Sequence, residues 1–423
     1  MKLIIKNICK ISNAEVELNG ITVIAGENNT GKSTVGKALY SIINSCCNYH
    51  DTIYDTRIRN INRSFNSIYR RVEIRRPHHN RNELFSAKEI LDNADRYISN
   101  PDLLESEIKG HVKQLMPDEN RVSDINAEKV VGLVIAALKV SDEDVLKRII
   151  SNHFNAEFFG QINNIFTNDI GLIELQTDAW KIAVAFENNE ITQIMDICEL
   201  NEEAVYIDNP FILGETDPTL FLTPSSELNH KENLRTKIHN NTENNDIIND
   251  SVTEKKLQNV YSIINRVCGG DVIKEQQNSV WGYKVANSEK VLDAKNLSTG
   301  LKTFAIIKTL LKNGTLQEKS VLILDEPEIH LHPQWQLLFA ELIVLIQKEF
   351  NMHILLNTHS PYFMKAIEVY TSKYAVADRC KYYLACVENE TSIIKDVTEH
   401  PENIYKLLAR PLQDLENVRY END

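Results

Sequence analysis

Apolar and polar positions follow strand spacing at both ends of the chain and helical spacing through much of the middle. Leu3 to Ile5 reads as a short strand and Glu15 to Leu18 as a second, followed by a turn at Asn19-Gly20. Ile21 to Ala25 is apolar throughout, the pattern of a buried strand. It runs into a Gly-rich loop and then a helix from about Lys32 to Asn44. From about Ala87 to Thr167 the pattern is helical and predicts four or five helices. One starts at a capping-box-like Ser141-Asp142-Glu143-Asp144, with Val145, Ile149 and Ile150 at helical spacing. Ala179 to Phe186 and Ile191 to Ile197 predict a β-hairpin around Glu187-Asn188-Asn189-Glu190, a loop without the favoured Asn-Gly pair. Ala204 to Ile207 is another short strand. Residues 224–252 are polar, Asn-rich and weakly periodic, which predicts a mobile loop.

The last segment returns to alternating strand and helix. Gly300 to Lys312 predicts a helix that stops at Asn313-Gly314. Val321 to Leu324 predicts a buried strand, Gln334 to Phe350 an amphipathic helix and His353 to Leu356 a strand. Three more short strands are expected around Tyr374, Tyr383 and Ile393. No repeat of 20–50 residues is visible.

Composition narrows the class. The 423 residues are 42% hydrophobic and 25% charged, which excludes fibrous and low-complexity chains. The longest apolar run, Val130 to Leu138, is far short of the roughly 20 residues that span a bilayer. The N-terminus lacks the apolar region and cleavage site of a signal peptide. Cysteines stand at 9, 46, 47, 198, 268, 380 and 386 with no C-x-x-C, so reduced thiols in a cytoplasmic protein are expected. The net charge of −14 argues against a surface that coats nucleic acid. One segment opposes that trend. Between Arg57 and Arg81 stand eight arginines (57, 59, 63, 70, 71, 75, 76, 81) and one acid, Glu73, with Tyr54, Phe65 and Tyr69 interleaved. Two readings stay open here: a solvated face or internal ion pairs, and contact with nucleic-acid phosphates or an acidic partner.

Four motifs carry chemistry. Gly26-Glu27-Asn28-Asn29-Thr30-Gly31-Lys32-Ser33 matches G-x-x-x-x-G-K-[ST] between a buried strand and a helix. Gly26 and Gly31 let the backbone curl so that N–H groups, with Asn28, Asn29 and Thr34 alongside, surround a phosphate at the helix N-terminus. Lys32 would reach the β and γ phosphates, and Ser33 would ligate Mg²⁺. Val321 to Leu324 ends in Asp325-Glu326, where ligands bind in parallel sheets. Asp325 would join the Mg²⁺ shell and Glu326 would polarise the attacking water. Leu297-Ser298-Thr299-Gly300 opens a second helix whose N-terminus can grip a phosphate. His359 follows the next strand, in Asn357-Thr358-His359-Ser360-Pro361, where a γ-phosphate contact is expected. His330 and His332 lack a nearby Cys or third His, so a zinc site is not expected and a contact beside the nucleotide is.

The ordered set resembles the ATP-binding cassette class of ATPases: P-loop, Leu-Ser-x-Gly signature, Asp-Glu pair and switch histidine. The string Asp325-Glu326-Pro327-Glu328-Ile329-His330-Leu331-His332-Pro333 is similar to that of soluble OLD-like and SMC-related ATPases, a group that includes anti-phage ATPases of the Septu and PARIS type. The resemblance covers about residues 1–45 and 255–400. It implies an α/β fold: a P-loop ATPase head with an inserted helical and antiparallel β region at 46–254 and a tail at 401–423. It implies ATP and Mg²⁺ as cofactors. It also implies a head-to-tail dimer, or a higher homo-oligomer, in which the Ser298–Gly300 signature of one copy completes the P-loop site of the other.

Three departures stand out. Thr299 and Leu301-Lys302 replace transporter residues; no glutamine can be assigned to a Q-loop, Gln161 and Gln176 being poor candidates; and the insertion lacks the heptads of a long coiled-coil arm. The segment after His359 is too short for a Toprim nuclease domain. The expectation is therefore an ATPase that senses or regulates in anti-phage defence and controls a separate effector protein, a nuclease. The alternative is a RecF- or SMC-like repair or chromosome-maintenance ATPase that contacts DNA itself. A scaffold that binds ATP without turnover is a third reading, which the intact Glu326 opposes. No membrane partner is expected.

Overall fold

The computed structural model describes residues 1–66, 68, 86–115, 127–215, 229–239, 251–274 and 281–420. They form two compact units, Met1–Cys47 with Ile150–Asp423, and Asn48–Ile149.

The larger unit is built on one mixed sheet. Its strands are β1 (Lys2–Ile8), β2 (Ile11–Glu17), β3 (Ile21–Gly26), β4 (Gly171–Gln176), β5 (Lys181–Glu187), β6 (Glu190–Met195), β7 (Ala204–Ile207), β11 (Val321–Asp325), β12 (His353–Thr358), β13 (Cys380–Glu388) and β14 (Thr391–Asp396). The order is β6-β5-β4-β1-β2-β14-β13-β3-β12-β11-β7. The run β13-β3-β12-β11-β7 is parallel. Every residue of β3 and β7 is buried, because helices cover both faces. On one face α1 (Lys32–Cys46) presses on the sheet at Gly36, where an added Cβ would lie 3.1 Å from Ile323 and 3.2 Å from the Tyr206 hydroxyl. The alternate residues Leu322 and Leu324 join the core on the other face. That core includes α10 (Thr299–Lys312), α11 (Pro333–Phe350) and α12 (Pro361–Lys373), whose Phe304, Phe339 and Phe363 rings pack in series at 5.3 and 6.2 Å.

The helices start and stop where the sequence signals them. Ser298, His332 and Ser360 are N-caps, and Pro333 and Pro361 occupy first-turn positions. Asn313 closes α10 and Gly314 follows at φ 75°. The expected hairpin is β5–β6, and its turn works without Asn-Gly. Asn188 and Asn189 adopt φ 53° and 68°, and Asn189 exchanges hydrogen bonds with Asn163.

Three expectations differ from the structure. The helical unit spans Asn48–Ile149, whereas β4 to β7 extend the main sheet from β1 and β11 rather than standing apart in a 46–254 insertion. A lone hairpin closes no core of its own, so it adds to an existing sheet. Within the expected mobile loop, residues 230–239 form α8 (His230–His239), anchored by buried Leu234 and Ile238, and α9 (Ser251–Ile264) begins before residue 252. Residues 224–228 and 240–250 of that stretch lie outside the described residues. No strand forms around Tyr374, which caps α12 and donates to Glu341 Oε1 at 2.6 Å. A second sheet pairs β8 (Asp271–Lys274), β9 (Trp281–Lys284) and β10 (Val291–Asp293), and α13 (Glu402–Tyr420) ends the described chain.

The smaller unit contains α2 (Tyr49–Ser64), α3 (Ala87–Asp92), α4 (Ala94–Ser99), α5 (Pro101–Leu115) and α6 (Ala127–Lys139). The chain leaves it within α7 (Asp142–Phe158), which Ser141 caps by accepting from Asp144 N at 3.1 Å. Ile61, Phe65, Ile108 and Val134 are fully buried in its own core.

Candidate functional site

Three of the four chemistry-bearing motifs gather at the C-terminal ends of β3, β11 and β12. β3 feeds the loop Gly26–Gly31, and three features of that loop suit an anion. Asn29 and Gly31 take φ 61° and 84°, which curls the backbone. No side chain caps α1 and no acid sits in its first turn, so its leading N–H groups keep their positive field. The loop is also tightly fitted. A Cβ on Gly26 would sit 2.5 Å from the Ala385 carbonyl oxygen of β13, and one on Gly31 would sit 2.9 Å from Ile11. Asn28 and Asn29 are exposed at the rim, Ser33 and Thr34 are half-buried in the first turn, and Thr30 Oγ1 ties the loop to Glu27 O at 2.8 Å.

Lys32 is buried, and its ammonium donates to the carbonyls of Gly26 at 3.2 Å and Glu27 at 2.8 Å. Burial pulls its pKa below the ordinary value, opposed by Glu326, Asp325 and Glu328. The carboxylates therefore face the loop lysine across the strand ends. Asn357, fully buried at the end of β12, donates to the Lys32 carbonyl at 3.1 Å and to Asp325 Oδ1 at 2.9 Å. Tyr206 of β7 donates its hydroxyl to Asp325 Oδ2 at 2.8 Å. Asp325 is thus gripped through both oxygens.

Glu326 stands one residue on, at φ 50°, with its N–H given to the Asn357 carbonyl. His359 Nε2 lies 2.6 Å from Glu326 Oε1, at ion-pair distance but off a hydrogen-bond line. His359 beside it holds the Glu326 carboxyl below the usual range. Glu328 lies deeper. Its Oε1 accepts from the Thr358 hydroxyl, His359 N and Ser360 N, which ties the 326–328 turn to the end of β12. Burial pushes its carboxyl up.

A cavity of about 160 Å³ opens beside these groups, lined by Ser33, Asp208, Thr303, Asp325, Glu326 and His330 among others. Asp325, Ser33 and Glu326 give it hard oxygen donors, the set that Mg²⁺ favours. Two buried acceptors on the same edge, Asn357 Oδ1 and Glu328 Oε2, have no protein partner among the described residues. The loop, the lysine and these oxygens fit a magnesium nucleotide.

The signature is placed differently. Ser298 is exposed, accepts from Leu301 N at 3.4 Å as the cap of α10, and does not line the cavity. Gly300 is buried because Trp335 covers it: a Cβ there would lie 2.9 Å from the indole. His330 packs edge-on against Phe211 at 5.5 Å, and His332 caps α11.

Of the arginine run, Arg70, Arg71, Arg75, Arg76 and Arg81 lie outside the described residues. Arg57 is turned inward. It donates to the carbonyls of Ala137, Leu138 and Val140 at the end of α6 and pairs with Asp142 at 2.6 Å. Arg59 donates to Thr56 at 3.0 Å, and Arg63 is exposed.

Sequence reasoning missed Tyr206, Asp208 and the double role of Asn357. Asp208 follows directly on β7, the strand beside β11. Gln176 lies on β4 in the antiparallel half, and Gln161 lies between α7 and β4. A polar residue at the C-terminal end of a buried strand was the available signal.

The fold is mixed α/β, with one large sheet and a P-loop between β3 and α1. The family described as "AAA domain, putative AbiEii toxin, Type IV TA system" matches residues 21–365, and the chain belongs to that family. Similar solved structures include the SMC head domain from Thermotoga maritima, at 10% identity over 94% of this chain and 98% of that chain, with TM-score 0.39. Another is the SmcHead bound to the C-winged helix domain of ScpA, at 12% identity over 93% and 96%, with TM-score 0.40. A third is the Smc head domain with an extended coiled coil bound to the C-terminal domain of ScpA derived from Pyrococcus furiosus, at 11% identity over 99% and 98%, with TM-score 0.34. Among the described residues no helix is long and apolar enough to cross a membrane.

Proposed function

We propose that this protein binds ATP with Mg²⁺ at the Gly26–Ser33 loop and hydrolyses it. The observation that carries the reading is the convergence of Lys32, Asp325, Glu326 and His359 on the strand ends beside an uncapped helix N-terminus. Lys32 leaves its loop carbonyls for the β and γ phosphates. Ser33 and Asp325 would hold the metal, which would neutralise charge on the transferring phosphate. Glu326 takes the proton of the attacking water, and His359 keeps that carboxylate ionised and contacts the γ-phosphate side. Gly26, Asn28, Asn29, Gly31 and Thr34 supply the phosphate cradle.

The signature acts on a second copy. Ser298 is exposed at a helix N-terminus and lies off the cavity of its own chain, which supports completion of each site by Ser298–Gly300 of a partner. ATP closes the dimer and hydrolysis reopens it. The family's description names a toxin and a type IV TA system, which supports a role in a two-component defence module. On this reading the chain is a cytoplasmic sensor or regulator that controls a separate effector, a nuclease. The inward contacts of Arg57 weigh against the rival reading, in which the arginine run holds DNA.

The test has two stages. Purified protein should hydrolyse ATP, and Lys32→Ala should abolish both binding and turnover; a wild type without turnover overturns the catalytic reading. Tagged Glu326→Gln is then recovered from its host with ATP and Mg²⁺. A stoichiometric nuclease or toxin-like partner supports the regulator. Nucleic acid with no protein partner moves the assignment to a DNA-maintenance ATPase.

A further inference from the structure

Beneath the cavity lies a buried ionic cluster that the reading above does not use. His230, the first residue of α8, hydrogen-bonds Glu157 Oε2 through Nδ1 at 2.7 Å and sets Nε2 at ion-pair distance, 3.2 Å, from Asp208 Oδ2, off a hydrogen-bond line. Its backbone N–H also goes to Glu157 Oε1, at 2.5 Å. Glu157 and His230 are 1% and 7% exposed through their side chains, so neither has water to fall back on. The His230 ring stacks on Tyr206, with centroids 4.4 Å apart and planes 22° from parallel. Tyr206 in turn holds Asp325 Oδ2, and Asp208 lines the cavity beside Asp325.

The geometry points to His230 as a positioning residue of the nucleotide site, whose imidazole anchors Asp208 directly and Asp325 through the stacked Tyr206. The inference rests on the magnesium-nucleotide reading given above. Three arguments carry it. Glu157 and Asp208 are two carboxylates that one imidazole bridges, and without a cation between them they repel or protonate. Burial lowers the His230 pKa, but Asp208 and Glu157 raise it to about 9, so the bridging ring is charged at neutral pH. Lys231, the other cation at Asp208, stands farther off at 3.5 Å and is half exposed, so it fixes the carboxylate less firmly. A parallel stack also fixes the plane of the Tyr206 ring, and that plane sets the direction of the hydroxyl that Asp325 accepts. His230 therefore acts on the acidic side of the cavity and leaves the phosphate loop alone.

That division sets the test. Full-length protein is titrated calorimetrically with AMPPNP, once with excess Mg²⁺ and once in EDTA. Wild type should bind more tightly with the metal. His230→Gln and Tyr206→Phe should each bind metal-free analogue within about twofold of wild type, yet lose at least fivefold of the gain from Mg²⁺. The double variant should lose no more than the larger single loss, because the two residues act in series. An undiminished Mg²⁺ gain in folded His230→Gln overturns the inference. If His230→Gln does not fold, Asp208→Asn and Tyr206→Phe decide together, since they test the direct route and the stacked route while keeping side-chain size; an undiminished gain in both has the same meaning. A wild type that binds no analogue under either condition overturns the nucleotide reading first, and this inference with it.

Discussion

His359 Nε2 lies 2.6 Å from Glu326 Oε1, and the glutamate that it touches sits at φ 50°, where non-glycine residues rarely settle. The Asn357 carbonyl pins that backbone by accepting the Glu326 N–H at 2.9 Å. Backbone held in such a region concentrates at functional sites, because the surroundings must over-determine it. Here the constraint aims an ionised carboxylate into the cavity. Glu326→Gln keeps the shape and removes the base. Turnover should fall by about 100-fold or more, the ordinary contribution of a general base. ATP affinity should stay within a few fold. A radiometric assay beside calorimetry separates the two. Equal turnover in wild type and Glu326→Gln would return the protein to an ATP-binding scaffold.

Ser298 and Gly300 belong to one motif but answer to different physics. Ser298 is exposed, so Ser298→Ala removes a helix cap and, on the dimer reading, one phosphate ligand. The cap alone is worth about 1 kcal/mol. Gly300 lies under Trp335, and a Cβ there would come within 2.9 Å of the indole. Gly300→Ala should therefore destabilise the isolated monomer by about 1–3 kcal/mol through overpacking, whatever it does to turnover. Chemical denaturation at concentrations below dimer formation measures this. Equal stability of wild type and Gly300→Ala would show that Trp335 moves aside.

What could be read from sequence follows locality. The P-loop, the Asp-Glu pair and His359 each announce themselves within a few residues, because a buried strand must end before its ligand groups begin. Asn357 was visible only as part of a string; its hold on both Lys32 and Asp325 depends on β12 lying between β3 and β11. Tyr206 is legible in the sequence only as part of a short strand, and only the pairing of β7 with β11 turns its hydroxyl onto Asp325. Glu157 and His230 are 73 positions apart, and no spacing rule joins them. The misread segments have equally local reasons. Tyr374 carries strand propensity but stacks on Tyr370 one helical turn back. Leu234 and Ile238 are a helical i, i+4 pair surrounded by asparagines that hide the period.

Glu328 offers a pH test. Burial raises its carboxyl above the ordinary range, although three donors meet Oε1. A group whose folded pKa is raised gives its full stabilisation below the unfolded value, near 4.5, and loses it as pH rises through the folded value. Glu328→Gln keeps a carbonyl oxygen for the same donors and does not ionise. Its urea midpoint relative to wild type should rise as pH increases from 4.5 to 8. A constant difference across that range would mean that Glu328 is as comfortable charged in the fold as in the unfolded chain.

Arg57 separates structural from binding arginines in the basic run. Its guanidinium closes the end of α6 by donating to Val140 O at 2.6 Å and pairs with Asp142, while its own side chain is 13% exposed. Arg57→Ala strips these bonds from the C-terminal end of α6, where Val140 is itself exposed. The helical unit should lose about 1–2 kcal/mol, the low end of the range for hydrogen bonds to a charged group, because Val140 and Asp142 are exposed to solvent. Arg57→Lys should recover little, because an ammonium cannot span the carbonyls and the carboxylate with one planar fork. Arg63 is exposed, so Arg63→Ala should change stability by less than about 0.5 kcal/mol. If duplex DNA is bound through this run, Arg63→Ala should lower affinity and reduce the salt slope by about one unit at unchanged stability. Arg57→Ala would instead lower affinity only in step with unfolding. Thermal melts and salt-dependent anisotropy on the same three variants distinguish these outcomes. A DNA affinity that none of them alters would leave the described arginines to the fold alone.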